Sequence, residues 1–402
     1  MNFKRIKKIL AGSLAGTVLV SAAACTPIST KAQWSYKYGD DEKSIGVYIF
    51  ALYNAYSRAK TYAEKADGYK EDESFLDLTI TDDDGNKAKA SDWIKEQADI
   101  IVRESLYIDD QMSKKNATVD EAAYLETAKQ DWELGYMYSQ YSQYGYATTP
   151  EQEILEPYGI SVESYCDLQY VTSAKQSRLF DLIYGADGTN PVSDSDLKKF
   201  FDENYTYYSY FTVPLYESVT DDDGNTSNKA YDDKKQKKLT SLADGYVKAI
   251  NGGKTVESQC SAYLKYTKSD ATTEDTLTTN CEKLDKDNLS SSSLGEDVAK
   301  EFTDVKQGKA KAITIGKDDS KTIYVIQKLN TKDAESEYLT KDDSTRESVL
   351  TSMKGKEYTD YLQEQAKKLD CEVNESVINR YDPDIFWEKP EDETTTTAAS
   401  EE

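Results

Sequence analysis

No histidine occurs anywhere in the 402 residues. Its absence removes the commonest metal ligand and the commonest acid or base near neutral pH, and with them the conventional Ser-His-Asp arrangement. Cysteine is scarce, with five in all. Cys166, Cys260, Cys281 and Cys371 stand far apart, without metal-binding spacing. They read as free thiols or as one disulfide, with Cys260 and Cys281 the nearest pair along the chain. No metal or other cofactor is expected. No glycine-rich phosphate loop follows a strand pattern, and there is no Gly-x-Ser-x-Gly elbow. Positive charge is also short, since 49 Lys and Arg face 74 Asp and Glu for a formal net charge of -25. Such a chain repels nucleic acid and attracts cations or basic partners. With so many acids, carboxylate pairs occur everywhere, so their spacing carries no signal for glycoside hydrolysis.

Long apolar runs are missing too, apart from one at the start. Lys4, Arg5, Lys7 and Lys8 precede an uncharged stretch from Ile9 to Val20, and small residues Ser21 to Ala24 lead to Cys25. That order is a secretory signal. The run falls short of the ~20 residues of a spanning helix, and the chain turns polar at Thr26 and Pro27. Ala22-Ala23-Ala24-Cys25 resembles the lipobox of bacterial lipoproteins, in which the cysteine is lipidated and becomes the mature N-terminus; Ala22 stands where that family usually has Leu. An ordinary signal peptide with an Ala-x-Ala cut would cleave at the same bond. Either way the chain is exported, and Cys25 is the expected anchor to the outer face of the membrane.

Beyond Cys25, a polar segment from Thr26 to Tyr38 reads as a tether. Asp40 and Asp41 offer caps to a helix with one apolar face through Ile45, Ile49, Leu52, Tyr53, Tyr56 and Ala59. A hairpin is predicted around Asp84-Gly85-Asn86, with Ser91 capping the next helix through Ile94, Ala98, Ile101 and Leu106. Further helices are predicted at Val119 to Tyr141, Pro150 to Tyr158 and Val162 to Ile183. The tyrosines from Tyr136 to Tyr146 fit helix packing and a half-buried loop better than a sticky surface.

After Gly185 the pattern changes. Ser193 caps a helix through Leu197, Phe200 and Phe201, and Tyr205 to Leu215 reads as a strand. Asp221 to Asn228 reads as a polar loop, Lys235 to Ile250 and Val298 to Val305 as helices, and Ala312 to Ile315 and Thr322 to Leu329 as strands. This is an α+β pattern. A long helix, Ser344 to Leu369, turns Val349, Met353, Tyr361, Leu362, Ala366 and Leu369 inward; Glu388 to Glu402 has no apolar periodicity and is expected to be disordered.

A helical N-terminal region, the linker Pro191-Val192-Ser193-Asp194-Ser195-Asp196-Leu197-Lys198-Lys199-Phe200-Phe201-Asp202-Glu203-Asn204, a compact α+β domain and a returning helix occur in that order. Together they resemble the PrsA and SurA type of extracytoplasmic foldase over most of residues 40 to 385. Leu294-Gly295, Val298, Phe302, Lys306-Gln307-Gly308 and Tyr324 to Leu329 are similar to the second half of that family's parvulin domain. The resemblance implies an α+β chain: a mainly helical SurA-N-like chaperone domain, completed by a C-terminal helix, with an inserted small parvulin-like α+β domain. The implied segments are 1–24 signal peptide, 25–38 lipidated tether and 39–190 helical chaperone domain. They continue with 191–204 linker helix, 205–331 parvulin-like domain, 332–387 C-terminal helix packing on the N-terminal domain, and 388–402 tail.

The chemistry departs from the family. Active parvulins place one histidine on the first strand and one on the last; the matching positions here are Tyr210 and Tyr324. A phenol near its ordinary pKa of about 10 cannot reproduce an imidazole network, so weak or no peptidyl-prolyl isomerase activity is expected. Two copies of Thr-Asp-Asp-Asp-Gly-Asn, at Thr81 and Thr220, lack the first acid of a calcium loop and read as tight turns. The resemblance implies a membrane-anchored chaperone for exported proteins. Its partners are unfolded or nascent exported chains and, through the anchor, the membrane; self-association is compatible with the pattern. A non-catalytic binding or structural envelope lipoprotein on the same scaffold is the alternative.

Overall fold

In the computed structural model, residues 33–136, 148–220, 224, 226–284, 289–339 and 344–387 are described. Cys25, the tail from Glu388, and Tyr138, Tyr141, Tyr144 and Tyr146 lie outside them. The fold is α+β, and the chain divides into two units, one of Met1–Ser177 with Gln363–Glu402, the other of Arg178–Leu362. Among the described residues no helix is long and apolar enough to cross a membrane.

The first unit opens on strand β1 (Trp34–Tyr38), which pairs antiparallel with β2 (Asp41–Ser44) and with Glu372–Val373. The tether expected to reach Tyr38 is therefore shorter. Tyr36 is only 1% exposed and donates its hydroxyl to Asp99 at 2.9 Å, a long-range partner that local composition cannot reveal. Helix α1 (Ile45–Ala63) follows without a loop. Asp41, expected among its caps, lies in β2 instead; the cap is Ser44, whose Oγ accepts from the Val47 amide. Ile45, Val47, Ile49, Phe50 and Leu52 are all buried, so the first two turns of this helix are covered all round, while its later turns expose Ser57, Arg58, Lys60 and Thr61. At its start a β-carbon on Gly46 would come 2.4 Å from Ser164 Oγ and 3.0 Å from its Cβ, so a larger residue would force the Ser164 side chain to move.

Strands β3 (Thr79–Thr81) and β4 (Lys87–Lys89) form the predicted hairpin and run directly into α2 (Ala90–Lys114). Ser91 is not its cap. The amides of Ala90 and Ser91 are taken by the carbonyls of Leu78 and Leu76, so the helix starts without a side-chain cap. In the hairpin turn the Asp82 carboxylate accepts from the amides of Asp84 and Asn86, at 3.1 and 2.8 Å. Gly85 takes φ 82°, as a tight turn requires. The second copy of that motif lies largely outside the described residues. Helix α3 (Glu121–Leu134) ends at Gly135, and α4 (Glu151–Leu155) follows after the undescribed segment. The helix predicted from Val162 forms as α5 (Val162–Cys166), a widened π turn (Asp167–Val171) and α6 (Thr172–Tyr184).

A chain of ion pairs ties these elements together. Lys43 on β2, 4% exposed at its side chain, contacts Asp109 of α2 and Asp167 of the π turn, each at 2.8 Å. Asp109 also holds Lys175, which reaches Glu121, again at 2.8 Å each. Glu104 on α2 differs from these acids: burial alone pushes its pKa up to about 7. The folded state thus keeps a proton that the unfolded chain loses near pH 4.3. Stability should therefore fall as pH rises from about 4.5 to 7 and then level off. Glu104→Gln is expected to remove that slope and to gain about 1–3 kcal/mol at pH 8. Urea unfolding at pH 5 and pH 8 measures it, and parallel pH profiles for parent and variant would contradict it.

The second unit takes in the end of α6 and continues with α7 (Asp194–Asn204), capped by Ser193 as predicted. Strand β5 (Tyr205–Pro214) leads to a hairpin of β6 (Tyr216–Thr220) and β7 (Thr226–Ala230), where a polar loop was expected over Asp221 to Asn228. Most hairpin side chains are exposed, so no apolar alternation announced it. Helices α8 (Asp233–Asn251) and α9 (Val256–Thr267), strand β8 (Thr278–Lys283), helix α10 (Glu296–Phe302) and strands β9 (Ala310–Ile315) and β10 (Thr322–Lys328) follow. The sheet order is β8-β5-β10-β9, antiparallel throughout. One face packs Phe211, Val213, Ile323 and Val325 against α8 and α9. The other packs Tyr208, Ile313 and Ile326 against Val298, Ala299 and Phe302 of α10. Helix α11 (Ser344–Lys368) closes the unit with Val349, Leu350, Tyr358 and Leu362. Tyr361, expected inward, is 39% exposed; Tyr358, one turn earlier, takes the inward place beside Phe180.

Candidate functional site

The candidate site lies on the α10 side of this sheet. In the ladder Tyr210 is opposite Ile326, and Tyr324 is opposite Thr212. Side chains two residues apart share a face, so Tyr210 and Tyr324 are diagonal neighbours, with ring centroids 5.3 Å apart and planes at 37°. Tyr208, two residues before Tyr210, extends the row. Its ring lies 6.2 Å from Tyr210 and 5.7 Å from Phe302, the latter nearly perpendicular at 77°.

A polar network fixes the buried end of the row. Tyr208 donates its hydroxyl to Glu282 at 2.7 Å and receives Asn280 Nδ2 at 3.2 Å. Glu282 also accepts Ser292 Oγ and the Ser293 amide, each at 2.9 Å. Burial raises the Tyr208 pKa, and the hydrogen bond to Glu282 raises it further. Burial also raises that of Tyr324, assisted by Tyr210. Both phenols therefore stay protonated at neutral pH. They supply ring faces and hydrogen-bond donors and cannot act as bases. Glu282 is occupied by its donors, so the row is a shaped aromatic surface with little capacity for proton transfer.

The thiols add no nucleophile. Cys260 and Cys281, the nearest pair in sequence, are free and buried, with no disulfide between them. Cys260 points from α9 into the core between helices and sheet, whereas Cys281 sits on β8 opposite Tyr207, outside that core. Burial pushes the Cys281 thiol up to about 12, with Glu282 and Glu337 adding to it. Cys166, buried in the first unit, is pushed up to about 11 by burial, then Asp167. Such thiols are inert at neutral pH. Among the described residues no group of three or more Cys, Asp or Glu side chains is placed to hold a metal ion.

Of the residues singled out by sequence, Tyr210 and Tyr324 are brought together and Cys25 lies outside the described residues. Tyr208, Asn280, Glu282 and Ser292 were not foreseen. Tyr208 was within reach, because it shares the strand face of Tyr210. The other three depend on β8 and the turn before α10, whose polar sequence Thr-Thr-Asn-Cys-Glu-Lys has no strand alternation.

No family model and no curated protein matches the chain. Among solved structures it is similar to the foldase protein PrsA of Lactococcus lactis, with 12% identity, 87% of this chain and 99% of that chain covered, and a TM-score of 0.32. It is similar also to PrsA of Bacillus subtilis, at 13% identity, 73% and 93% coverage and a TM-score of 0.27. A third is the foldase protein PrsA of Streptococcus pneumoniae str. Canada MDR_19A, at 15% identity, 75% and 98% coverage and a TM-score of 0.25. These structural neighbours are PrsA foldases, alike at low identity and low TM-score.

Proposed function

We propose that this protein is an extracytoplasmic chaperone of the PrsA type, held at the membrane by lipidated Cys25, whose parvulin-like domain has lost isomerase chemistry. The observation that carries the reading is the strand register that sets Tyr210 beside Tyr324. Those are the two positions where the resemblance expects the catalytic histidines. A phenol pair offers a proline ring a stacking surface, but it lacks the imidazole pair. With β1 starting at Trp34, the stretch from Cys25 to Gln33 reaches about 30 Å at full extension, which keeps the folded body next to the bilayer.

Three measurements test the parts of this reading. Stoichiometric protein is expected to suppress aggregation of a chemically denatured client; no effect even in excess removes the chaperone assignment. On a proline tetrapeptide the exchange is expected to stay near its uncatalysed rate of tens to hundreds of seconds, and robust turnover would refute the degenerate site. Cys25→Ser is expected to abolish palmitate labelling and to release the protein from the membrane fraction, whereas unchanged labelling would eliminate Cys25 as the lipid site.

A further inference from the structure

The first unit carries a second aromatic surface, remote in sequence from the sheet. A cleft of about 460 Å3 is floored by Phe75 and Phe386, both buried, and walled by half-buried Tyr53, Tyr56, Tyr158 and Trp387. Phe386 is its hub. Its ring lies 4.9 Å from Tyr158, 5.4 Å from Tyr53 and 5.5 Å from Tyr56, and Tyr56 is 4.9 Å from Phe75. Rings that brace one another in this way present a preformed surface, so little side-chain entropy is lost when a ligand settles on it.

The charge around the cleft selects the ligand. Glu71 and Glu73 lie on its rim, and Glu151, Glu153 and Glu156 lie on the segment that supplies Ile154 and Tyr158. Against them stand Lys60 on the rim and Lys70, which pairs with Glu73 at 2.6 Å. The balance is negative. Tyrosine and tryptophan faces accept lysine and arginine head groups and the apolar pyrrolidine ring of proline in an extended chain. Beyond Trp387 the sequence runs Glu388, Lys389, Pro390, Glu391, Asp392 and Glu393, a stretch whose net charge has the same sign as the rim.

We infer that this cleft is a docking site for an extended polypeptide segment bearing lysine or arginine together with proline, contributed by an unfolded client. The inference rests on the chaperone reading for the source of that segment. The ring faces take the prolines and the alkyl stems, and the acidic rim takes the cationic ends.

The test measures fluorescence anisotropy of the full chain with a short labelled peptide alternating lysine and proline, and with its glutamate-for-lysine analogue. The cationic peptide is expected to bind more tightly by about tenfold or more. Tyr56→Ala/Tyr158→Ala should weaken it by about tenfold. Glu71→Lys/Glu73→Lys, whose side chains are exposed and leave the fold intact, should weaken it several-fold and flatten its salt dependence. Equal affinity for the two peptides, or indifference to the charge-reversal variant, overturns the inference. So does a large gain in affinity on removing residues 388–402, which would make the tail the occupant. The aggregation assay separates this claim from the one beneath it. Peptide binding without suppression leaves the cleft and removes the chaperone; suppression without cleft-dependent binding does the reverse.

Discussion

Lys43→Met is expected to lower the unfolding stability of the first unit by about 2–3 kcal/mol, because it removes the buried cation shared by Asp109 and Asp167 and leaves Asp109 with Lys175 alone. The lysine is 4% exposed and is held by Asp109 and Asp167. Burial works against its charge, but those two acids outweigh burial and raise its pKa. For Asp109, burial pulls upward, and Lys43 with Lys175 outweighs it, holding the carboxyl below the ordinary range. The sign of the pH dependence follows. A depressed acid contributes stability that is present above its unfolded pKa near 3.9 and is lost as pH falls through its folded value. The network should therefore be intact at neutral pH and fail in acid below about pH 4. Urea melts of parent, Lys43→Met and Lys43→Met/Asp109→Asn/Asp167→Asn decide the cause. The triple variant should recover part of the loss, because removing the two acids together with Lys43 costs less than leaving them without it, while Lys175 keeps Glu121. Equal losses in the single and triple variants would point to packing.

Phe302→Ala is expected to cost about 3–5 kcal/mol, as for a fully buried aromatic. The residue is 0% exposed and closes the face that carries the candidate site, packing with Tyr208, Val298, Ala299 and Ile326. Helix α10 has only seven residues, too few to persist without tertiary packing, so Phe302 and its neighbours hold it in place. In a unit of this size the loss corresponds to roughly 10 °C in melting temperature. Val219→Ala, at a side chain 38% exposed on the outer hairpin, is the matched control and should stay within about 0.5 kcal/mol. A Phe302→Ala melt equal to the control's would show that α10 is not anchored through this ring. Tyrosine fluorescence quenching would report the opening of the row beside Tyr208.

The parts of this molecule legible in the sequence are those where burial writes a period. The long helices α1, α2, α8 and α11 and the strands β5 and β10 carry apolar residues at helical or alternating spacing. Pairing β5 with β10 was enough to bring Tyr210 and Tyr324 together. What escaped is structure held by partners distant in the chain. Trp34–Tyr38 looks like a linker until Glu372–Val373 lies alongside it. Strand β8 buries only Cys281, so its pattern is that of a loop, and its Glu282 and Asn280 went unseen with it. The caps show the same limit. Asp41 has the right chemistry beside α1, yet β2 claims it and leaves Ser44 to start the helix.

The pairing of β1 with Glu372–Val373 also dictates an order of assembly. The sheet that opens the first unit is completed by Glu372–Val373, distant in the chain, so this unit cannot finish folding until that segment has been synthesised. The second unit is continuous in sequence, from Arg178 to Leu362, and can close beforehand. Its closure brings the ends of a long intervening loop nearer and lowers the entropic barrier to the final pairing. Synthesis from the N-terminus thus keeps the first unit incomplete until Glu372–Val373 is available, and that short strand acts as the latch.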